Sequence, residues 1–296
     1  MTLHHHAHSS NHINHQSIVC YYHSNINVSL LNPNICTHII YTSIGIDSDG
    51  NIIFPFIEDM QVFSELSFLE KMRKTNEKLK ILISIGDKGE NQRRNFQSML
   101  STSHSRKNFA RSIVTFCKKI NFDGIDLSWQ KPNKQYSKAF TDLVKKIKEL
   151  MHGVFSFHTK MPIAFEVFKF EDKTDPQILT VTLNASACNA YDIKSICKKV
   201  KFINLMNFDM HAPAEESLTI DYALSTWMDR GAQLSKINLG IATYEGCNDK
   251  RSIEDKASYA CYGGLHGIAI HAFDGDDYTN GFPLIRAARD IFERDK

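Results

Sequence analysis

The alternation of short apolar runs with longer amphipathic stretches constrains the fold of this chain more than any other feature of its sequence. From Ser17 onward the pattern is typical of strand–helix units around a parallel sheet, because strands buried on both faces are apolar with little alternation. Eight runs are predicted to be strands: 18–22, 38–43, 80–85, 124–127, 162–167, 202–206, 237–243 and 267–273. Seven stretches are predicted to be helices: 57–77, 106–120, 136–152, 190–200, 219–230, 252–262 and 283–293.

Eight strands with intervening helices predict an α/β fold, a single-domain (β/α)8 TIM barrel, over residues 17–296. An open doubly wound sheet fits less well, because the glycine-rich phosphate turn that often follows its first strand is missing. Residues 1–16 are rich in His, Ser and Asn and contain no apolar segment, so we expect them to form a disordered tail.

Composition narrows the class of function. With 42% hydrophobic and 23% charged residues, the chain is expected to be globular. A net charge of +2, with basic residues scattered along the predicted helices, argues against a nucleic-acid partner. No apolar run approaches the roughly 20 residues that span a bilayer. Glycosylation sequons at Asn27 and Asn184 fit a secreted glycoprotein, although no signal peptide is visible.

In a barrel of this kind, functional side chains lie at the carboxyl ends of the strands. The stretch 122–130 runs along one such strand, and the alternate residues Asp126, Ser128 and Gln130 are expected to share a face. Asp123 and Asp126 also suit a structural role as acceptors of backbone hydrogen bonds, and Gln130 suits either a ligand contact or a satisfied buried amide. The remaining candidates for ligand contact at strand ends are Tyr21, Tyr22, Met206, Asp209, Tyr244 and His271.

Several of these segments together resemble glycoside hydrolase family 18, the chitinases and chitinase-like proteins, from about Cys20 to the carboxyl terminus. The segments 20–22 and 36–41 are similar to the first two strands of that family, and 84–86 is similar to its Ser-x-Gly-Gly motif. The segment 123–130 resembles its strand-four Asp-x-x-Asp-x-Asp-x-Glu motif, and 206–209 resembles its Met-x-Tyr-Asp motif. The resemblance implies the TIM barrel fold, with the α+β insertion after strand seven largely absent and the groove therefore open.

The resemblance also implies a missing catalytic apparatus. In this family the acetamido oxygen of the sugar attacks its own anomeric carbon while a Glu protonates the leaving oxygen. That Glu corresponds to Gln130, whose amide has no acidic proton, and the general acid is worth roughly 10²–10⁴ in rate. The middle Asp corresponds to Ser128, the acetamide-binding Tyr to Phe208, and the strand-eight Trp to His271. We therefore expect a pseudoenzyme that binds chitin-type N-acetylglucosamine oligosaccharides, with no catalytic residue intact and no cofactor.

Two alternatives stay open. The family pattern commonly has aromatic residues at the positions of Ser43, Lys88 and His271, and their loss also fits a secreted interaction or signalling protein with a protein partner and no sugar ligand. A weakly active glycosidase would need another carboxylate, for which Glu166 and Asp209 are the candidates near the strand ends.

The seven cysteines show no spacing typical of a metal site. The resemblance pairs Cys20 with Cys36, since the family commonly joins these positions. Cys188 with Cys197 and Cys247 with Cys261 are possible further pairs, and Cys117 is expected to be a buried thiol on an apolar helical face. Trp129 is expected to pack between barrel and helices, and the acidic run 274–277 to form a solvated loop with no metal.

Overall fold

The computed structural model describes residues 16–42, 44–53, 59–86, 88–152, 176–206, 220–244 and 248–294. Its strands are β1 (Ser17–Tyr22), β2 (His38–Tyr41), β3 (Gly45–Ile46), β4 (Ile52–Ile53), β5 (Lys80–Gly86), β6 (Gly124–Trp129), β7 (Ile178–Asn184), β8 (Ile203–Met206), β9 (Ile237–Ala242) and β10 (Gly267–His271). Eight parallel strands close into a barrel in the order β1-β2-β5-β6-β7-β8-β9-β10, and β3 and β4 form a separate antiparallel pair. The predicted TIM barrel is confirmed.

Helices surround the barrel: α1 (Asp59–Thr75), α2 (Glu90–Ser101), α3 (Ser103–Lys119), α4 (Ser137–Met151), α5 (Ile193–Cys197), α6 (Ile220–Asp229), α7 (Lys250–Tyr262) and α8 (Pro283–Arg294). In α4, which matches the predicted helix 136–152, Phe140, Leu143, Val144 and Ile147 recur on one face and are buried. Along the described ranges, no helix is both long enough and apolar enough to cross a bilayer. The seventh strand of the barrel is β9, and only residues 243–249 separate it from α7. The insertion after the seventh barrel strand is therefore absent, as predicted.

Strand parity divides the core into two layers. Along β1, Val19 and Tyr21 point into the barrel lumen, whereas Cys20 and Tyr22 pack in the layer between the barrel and the helices. The apolar part of the lumen is formed by Val19, Tyr21, Ile40, Leu82, Phe202, Met206, Ala269 and Ala272. The lumen also holds fully buried polar residues: Asp126, Thr180, Thr182, Asn204 and Asn238.

The predicted fifth strand is wrong in position. β7 pairs with β6 on one side and β8 on the other, so Ile178–Asn184 occupies that place in the barrel. The proposed segment, 162–167, lies outside the described residues. Thr180 and Thr182 alternate with apolar residues because one face of β7 meets the polar lumen, and the expectation of an unbroken apolar run therefore missed this strand. The prediction also missed α2, whose buried Phe96, Met99 and Leu100 mark one face.

Cys20 and Cys36 are joined in a disulfide whose Cα atoms lie 6.2 Å apart. The possible Cys188–Cys197 pair is not formed, and both are buried thiols. Cys117 is buried as expected, and its Sγ donates to the carbonyl oxygen of Gly124 at 3.3 Å. Burial raises the pKa of the Cys117 thiol above its ordinary value, so the site keeps it protonated. Cys247 lies outside the described residues.

Both tryptophans are buried in the core, and Trp129 packs where the sequence predicts. Trp129 is fully buried, and its ring lies 4.7 Å from that of Phe140 on α4. Trp227 on α6 is also fully buried, and its Nε1 donates to the carbonyl oxygen of Ala185 at 2.9 Å. Both rings therefore belong to the layer between the barrel and the helices.

Candidate functional site

A cavity of about 300 Å³ opens at the carboxyl ends of the barrel strands, where functional sites of this architecture lie. Its described lining residues are Tyr21, His23, Thr42, Ile44, Ser84, Gly86, Lys88, Gly89, Gln92, Arg93, Ser128, Gln130, Lys131 and His271. A larger cavity of about 580 Å³ lies at the amino ends of the strands, beside Ser17, Thr37 and His266. Position favours the smaller cavity as the functional site, because the polar ends of β5, β6 and β10 converge there.

Strand β6 brings Ser128 and Gln130 to this cavity. Both residues are half-buried, and Gln130 Nε2 donates a hydrogen bond to Ser128 Oγ at 3.3 Å. Gly86 on β5 allows that strand to lie close to Ser128 on β6. A Cβ at this position would lie 1.8 Å from the backbone oxygen of Ser128. The two side chains offer hydroxyl and amide groups but no carboxyl group.

Asp126 lies below them, fully buried in the lumen. Its Oδ2 accepts hydrogen bonds from Ser84 Oγ and Thr182 Oγ1, both at 2.8 Å, and its Oδ1 accepts one from Thr180 Oγ1 at 2.6 Å. Burial raises the pKa of Asp126, while the three hydroxyl donors oppose that shift. Enclosed in this way, Asp126 joins β6 to β5 and β7 through the hydroxyl groups of its neighbours.

A chain of hydrogen bonds crosses the lumen towards this carboxylate. Ser17 Oγ donates to Asn238 Oδ1 at 2.7 Å, and Asn238 Nδ2 donates to Asn204 Oδ1 at 2.9 Å. Asn204 Nδ2 donates to the Tyr21 hydroxyl at 2.7 Å, which lies 2.5 Å from Thr182 Oγ1. Since the Thr182 hydroxyl is committed to the carboxylate, Tyr21 must be the donor to it. Every donor therefore points towards Asp126, and burial and that carboxylate together raise the pKa of Tyr21.

A histidine pair and a lysine form another wall of the cavity. His23 Nε2 lies 3.1 Å from His271 Nε2, while His23 Nδ1 lies 2.8 Å from Lys88 Nζ and also contacts the Thr42 hydroxyl. Lysine only donates, so His23 Nδ1 accepts, and His23 Nε2 carries the proton that it donates to His271. Burial, the other imidazole and Lys88 lower the pKa of His23 to about 2. Burial and Lys88 lower the pKa of His271 to about 4, so both rings are neutral.

The acidic run after β10 holds backbone in place. Asp274 accepts hydrogen bonds from the backbone N–H groups of His23 and Asn25, at 3.0 and 2.8 Å. Asp276 is buried and accepts from the backbone N–H of Ile285 in the first turn of α8 at 2.9 Å. Within the described ranges no group of three or more His, Cys, Asp or Glu side chains is arranged to hold a metal ion. The run is therefore a set of backbone caps, and the solvated loop predicted there is wrong for Asp274 and Asp276.

Several predicted site residues lie elsewhere. Asp123 is at the amino end of β6, where it accepts from the backbone N–H of Ile81 at 2.9 Å and pairs with Arg73 and Lys80, each at 3.4 Å. Asp123 therefore has the structural role that the sequence allows, as an acceptor of a backbone hydrogen bond. It lies at the opposite end of β6 from the cavity.

Among the proposed ligand-contact residues, Tyr22 is fully buried behind the barrel wall, and its hydroxyl donates to the carbonyl oxygen of Ile26 at 2.8 Å. Tyr21 and Tyr22 are adjacent on one strand, so they cannot both face the lumen. Met206 is buried in the lumen core, and Tyr244 is 42% exposed outside the cavity lining. The structure thus corrects the assignment of Tyr22, whereas the assignments of Met206 and Tyr244 as ligand contacts stay predictions. Ser43, Asp87, Glu166, Phe208 and Asp209 lie outside the described residues.

Sequence reasoning missed much of the lining. His23, Thr42, Gln92, Arg93 and Lys131 all border the cavity. Arg93 and Gln92 come from α2, whose apolar spacing over Phe96, Met99 and Leu100 could have revealed that helix. His23 directly follows the predicted strand 18–22, and Thr42 is the next-to-last residue of the predicted strand 38–43, so both could have been found among the residues at the strand ends.

Comparison with known proteins places this arrangement in a family. Residues 17–248 match the family model described as glycosyl hydrolases family 18. Human chitinase-3-like protein 2 is 28% identical over 243 residues, which cover 72% of this chain and 56% of that protein. The Drosophila melanogaster chitinase-like protein Idgf2 is 27% identical over 277 residues, which cover 77% of this chain and 63% of that protein. The chain thus spans only part of the length of these relatives.

Solved structures share the fold. The Ostrinia furnacalis Group IV chitinase, determined in complex with allosamidin, superposes with a TM-score of 0.78 at 18% identity and covers 94% of this chain and 99% of its own. Human YKL-39, described as a pseudo-chitinase with retained chitooligosaccharide binding properties, superposes with a TM-score of 0.77 at 21% identity, over 94% of this chain and 100% of its own. With the family match over most of the barrel, these similarities establish that the chain belongs to family 18 of the glycosyl hydrolases.

Proposed function

We propose that this chain is a non-catalytic chitinase-like protein that binds chitin-type N-acetylglucosamine oligosaccharides in the cavity at the carboxyl end of its barrel. The observation that carries the proposal is the Ser128–Gln130 pair, joined at 3.3 Å where the family pattern has two carboxylates. Within the part of the cavity wall that the structure describes, no residue is an aspartate or glutamate.

Hydrolysis of a glycoside needs a proton on the leaving oxygen. The Gln130 amide cannot supply it, and a hydroxyl such as that of Ser128 is far too weak an acid. Asp126 is the nearest carboxylate on β6, but it is fully buried and accepts three hydrogen bonds from neighbouring hydroxyls. The described residues therefore supply neither the acid nor a substitute for it.

Binding needs less than catalysis. The Ser128 hydroxyl, the Gln130 amide and the imidazole of His271 border one cavity, and such groups exchange hydrogen bonds with sugar hydroxyls and acetamides. The similarity to human YKL-39, a pseudo-chitinase with retained chitooligosaccharide binding, supports the same ligand class here. The Cys20–Cys36 disulfide and the exposed sequon residue Asn27 support a secreted, glycosylated protein.

Calorimetric titration with chitotetraose, together with a chromogenic chitobioside assay, tests both halves of the proposal. We expect heat of binding and no release of chromophore. The absence of heat up to millimolar ligand would contradict sugar binding and favour a protein partner. Chromophore release that disappears in Glu166→Ala or Asp209→Ala would instead show a weakly active glycosidase.

A further inference from the structure

The turn that follows β1 carries His23 into the cavity wall, and a buried carboxylate outside the described lining holds that turn. Glu65 on α1 is only 6% exposed, and its Oε2 accepts a hydrogen bond from Ser24 Oγ at 2.7 Å. We propose that Glu65 is a positioning residue for ligand binding, which acts through Ser24 to fix the imidazole of His23 in the cavity. This inference rests on the proposed function, because it takes the cavity as the place where the ligand binds.

The backbone of the turn needs to be held. The φ of Ser24 is 64°, in the left-handed region where the Cβ of any residue other than glycine is crowded. On either side of Ser24, the backbone N–H groups of His23 and Asn25 donate to Asp274 at 3.0 and 2.8 Å. The bond from the Ser24 side chain to Glu65 is a further anchor. Two carboxylates on separate elements, α1 and the loop after β10, therefore hold the three residues of the turn.

The carboxylate of Glu65 is itself fixed by the barrel and by its own helix. Oε2 also accepts from the hydroxyl of Tyr41 on β2 at 2.9 Å, and Oε1 accepts from Gln61 Nε2, one helical turn earlier, at 3.3 Å. A buried carboxylate is unfavourable unless donors of this kind surround it. Because Tyr41 and Gln61 fix the acceptor, the bond from Ser24 defines where the turn lies.

His23 transmits this constraint to the cavity wall. Its Nδ1 accepts from Lys88 Nζ at 2.8 Å and contacts the Thr42 hydroxyl, and its Nε2 lies 3.1 Å from His271 Nε2. The imidazole therefore joins residues at the ends of β2 and β10 and just after β5, and all four residues border the cavity. Displacement of the turn would break the contacts of His23 with Lys88 and His271 together. A hydrogen bond outside the cavity thus maintains the shape of its wall.

Ser24→Ala tests the proposal with a small change, because alanine keeps the Cβ and the crowding of the left-handed backbone but loses the hydroxyl. Only the molecules with His23 in place bind the ligand well, so we expect the affinity for chitotetraose, measured by calorimetry, to fall about tenfold. Tyr41→Phe is the matched control, because it removes a hydroxyl bond to the same oxygen of Glu65 and leaves the turn intact. We expect this control to bind chitotetraose as the unsubstituted protein does.

Substitution of Glu65 itself gives a second comparison. Glu65→Leu removes the acceptor and should weaken binding as Ser24→Ala does. Glu65→Gln should recover most of the lost affinity, because its amide oxygen still accepts from the Ser24 hydroxyl.

Long-range ¹H–¹⁵N NMR spectra follow the His23 imidazole without any ligand. With His23 assigned by the loss of its signals in His23→Gln, the unsubstituted protein should show a single tautomer that carries the proton on Nε2. Ser24→Ala should shift or broaden these signals, and Tyr41→Phe should leave them unchanged. A merely structural role for Glu65 would not distinguish the two variants.

Unchanged affinity and unchanged His23 signals in Ser24→Ala would overturn the inference, and so would equal losses of affinity in Ser24→Ala and Tyr41→Phe. If the unsubstituted protein binds no chitotetraose, the proposed function fails, and the His23 signals alone decide whether Glu65 positions the cavity wall.

Discussion

Removal of the Tyr21 hydroxyl tests the hydrogen-bond chain that crosses the barrel lumen. This hydroxyl accepts from Asn204 Nδ2 at 2.7 Å and donates to Thr182 Oγ1 at 2.5 Å. Tyr21→Phe deletes both bonds and leaves Asn204 Nδ2 with Thr182 Oγ1 at 3.5 Å. Since a net hydrogen bond contributes about 1 kcal/mol, we expect the free energy of unfolding to fall by about 2 kcal/mol. For a chain of this length that corresponds to a decrease in Tm of about 3 °C.

Urea unfolding followed by circular dichroism measures this change, and a thermal scan measures the shift in Tm. Tyr278→Phe is the matched control, because Tyr278 is 44% exposed on a surface turn and its substitution should change stability by less than about 0.5 kcal/mol. A Tyr21→Phe loss as small as that of the control would show that the chain of donors towards Asp126 does not contribute to stability, and would refute the reasoning.

Three further outcomes follow from the site. Gln130→Glu alone should leave chitobioside turnover near background, because the partner carboxylate is still missing; robust turnover would contradict the account. Burial and Lys88 lower the pKa of His271 from 6.5 to about 4. Between pH 6.5 and pH 4 this imidazole is therefore more protonated in the unfolded chain than in the folded one. Stability should therefore fall by up to about 3 kcal/mol from pH 6.5 to 4, and His271→Gln, unlike the exposed His104→Gln, should flatten that slope in pH-dependent urea unfolding. Gly86→Ala should abolish soluble expression, whereas Gly89→Ala, with open space but a φ of 80°, should cost about 1 kcal/mol in urea unfolding.

The contrasting outcomes for the glycines and the histidine check separate features of the site. A folded Gly86→Ala variant of normal stability would show that β5 and β6 are not as close as implied by the 1.8 Å between an added Cβ and the backbone oxygen of Ser128. An unchanged pH slope in His271→Gln would show that this imidazole titrates equally in the folded and unfolded chains.

The barrel could be predicted because most of its strands are apolar on the face that meets the helices. Period-two parity also correctly placed Trp129 away from Ser128 and Gln130, which share the cavity side of β6. The same reasoning failed for β7, because its inner face carries Thr180 and Thr182 and therefore lacks the continuous apolar run of a strand buried on both sides.

The cavity could be predicted only in part. Residues on β6 were found because a strand fixes the directions of its own side chains. Arg93 comes from a helix that follows β5, and His23 and Lys88 are brought together from different strand ends, so their contact at 2.8 Å depends on how the barrel closes. Tyr21 and Tyr22 cannot both contact a ligand in the lumen, because adjacent residues of a strand point to opposite faces, and this conflict is visible in the sequence.

A proton NMR spectrum of chitotetraose, followed over time in the presence of the purified protein, tests the central proposal most directly because it reports binding and cleavage together. The account predicts broadened acetyl signals and no new reducing-end anomeric signals. Growth of reducing-end signals, absent in a sample without protein, would contradict the proposal that Gln130 and Ser128 leave this barrel able to bind chitin-type sugars but unable to cleave them.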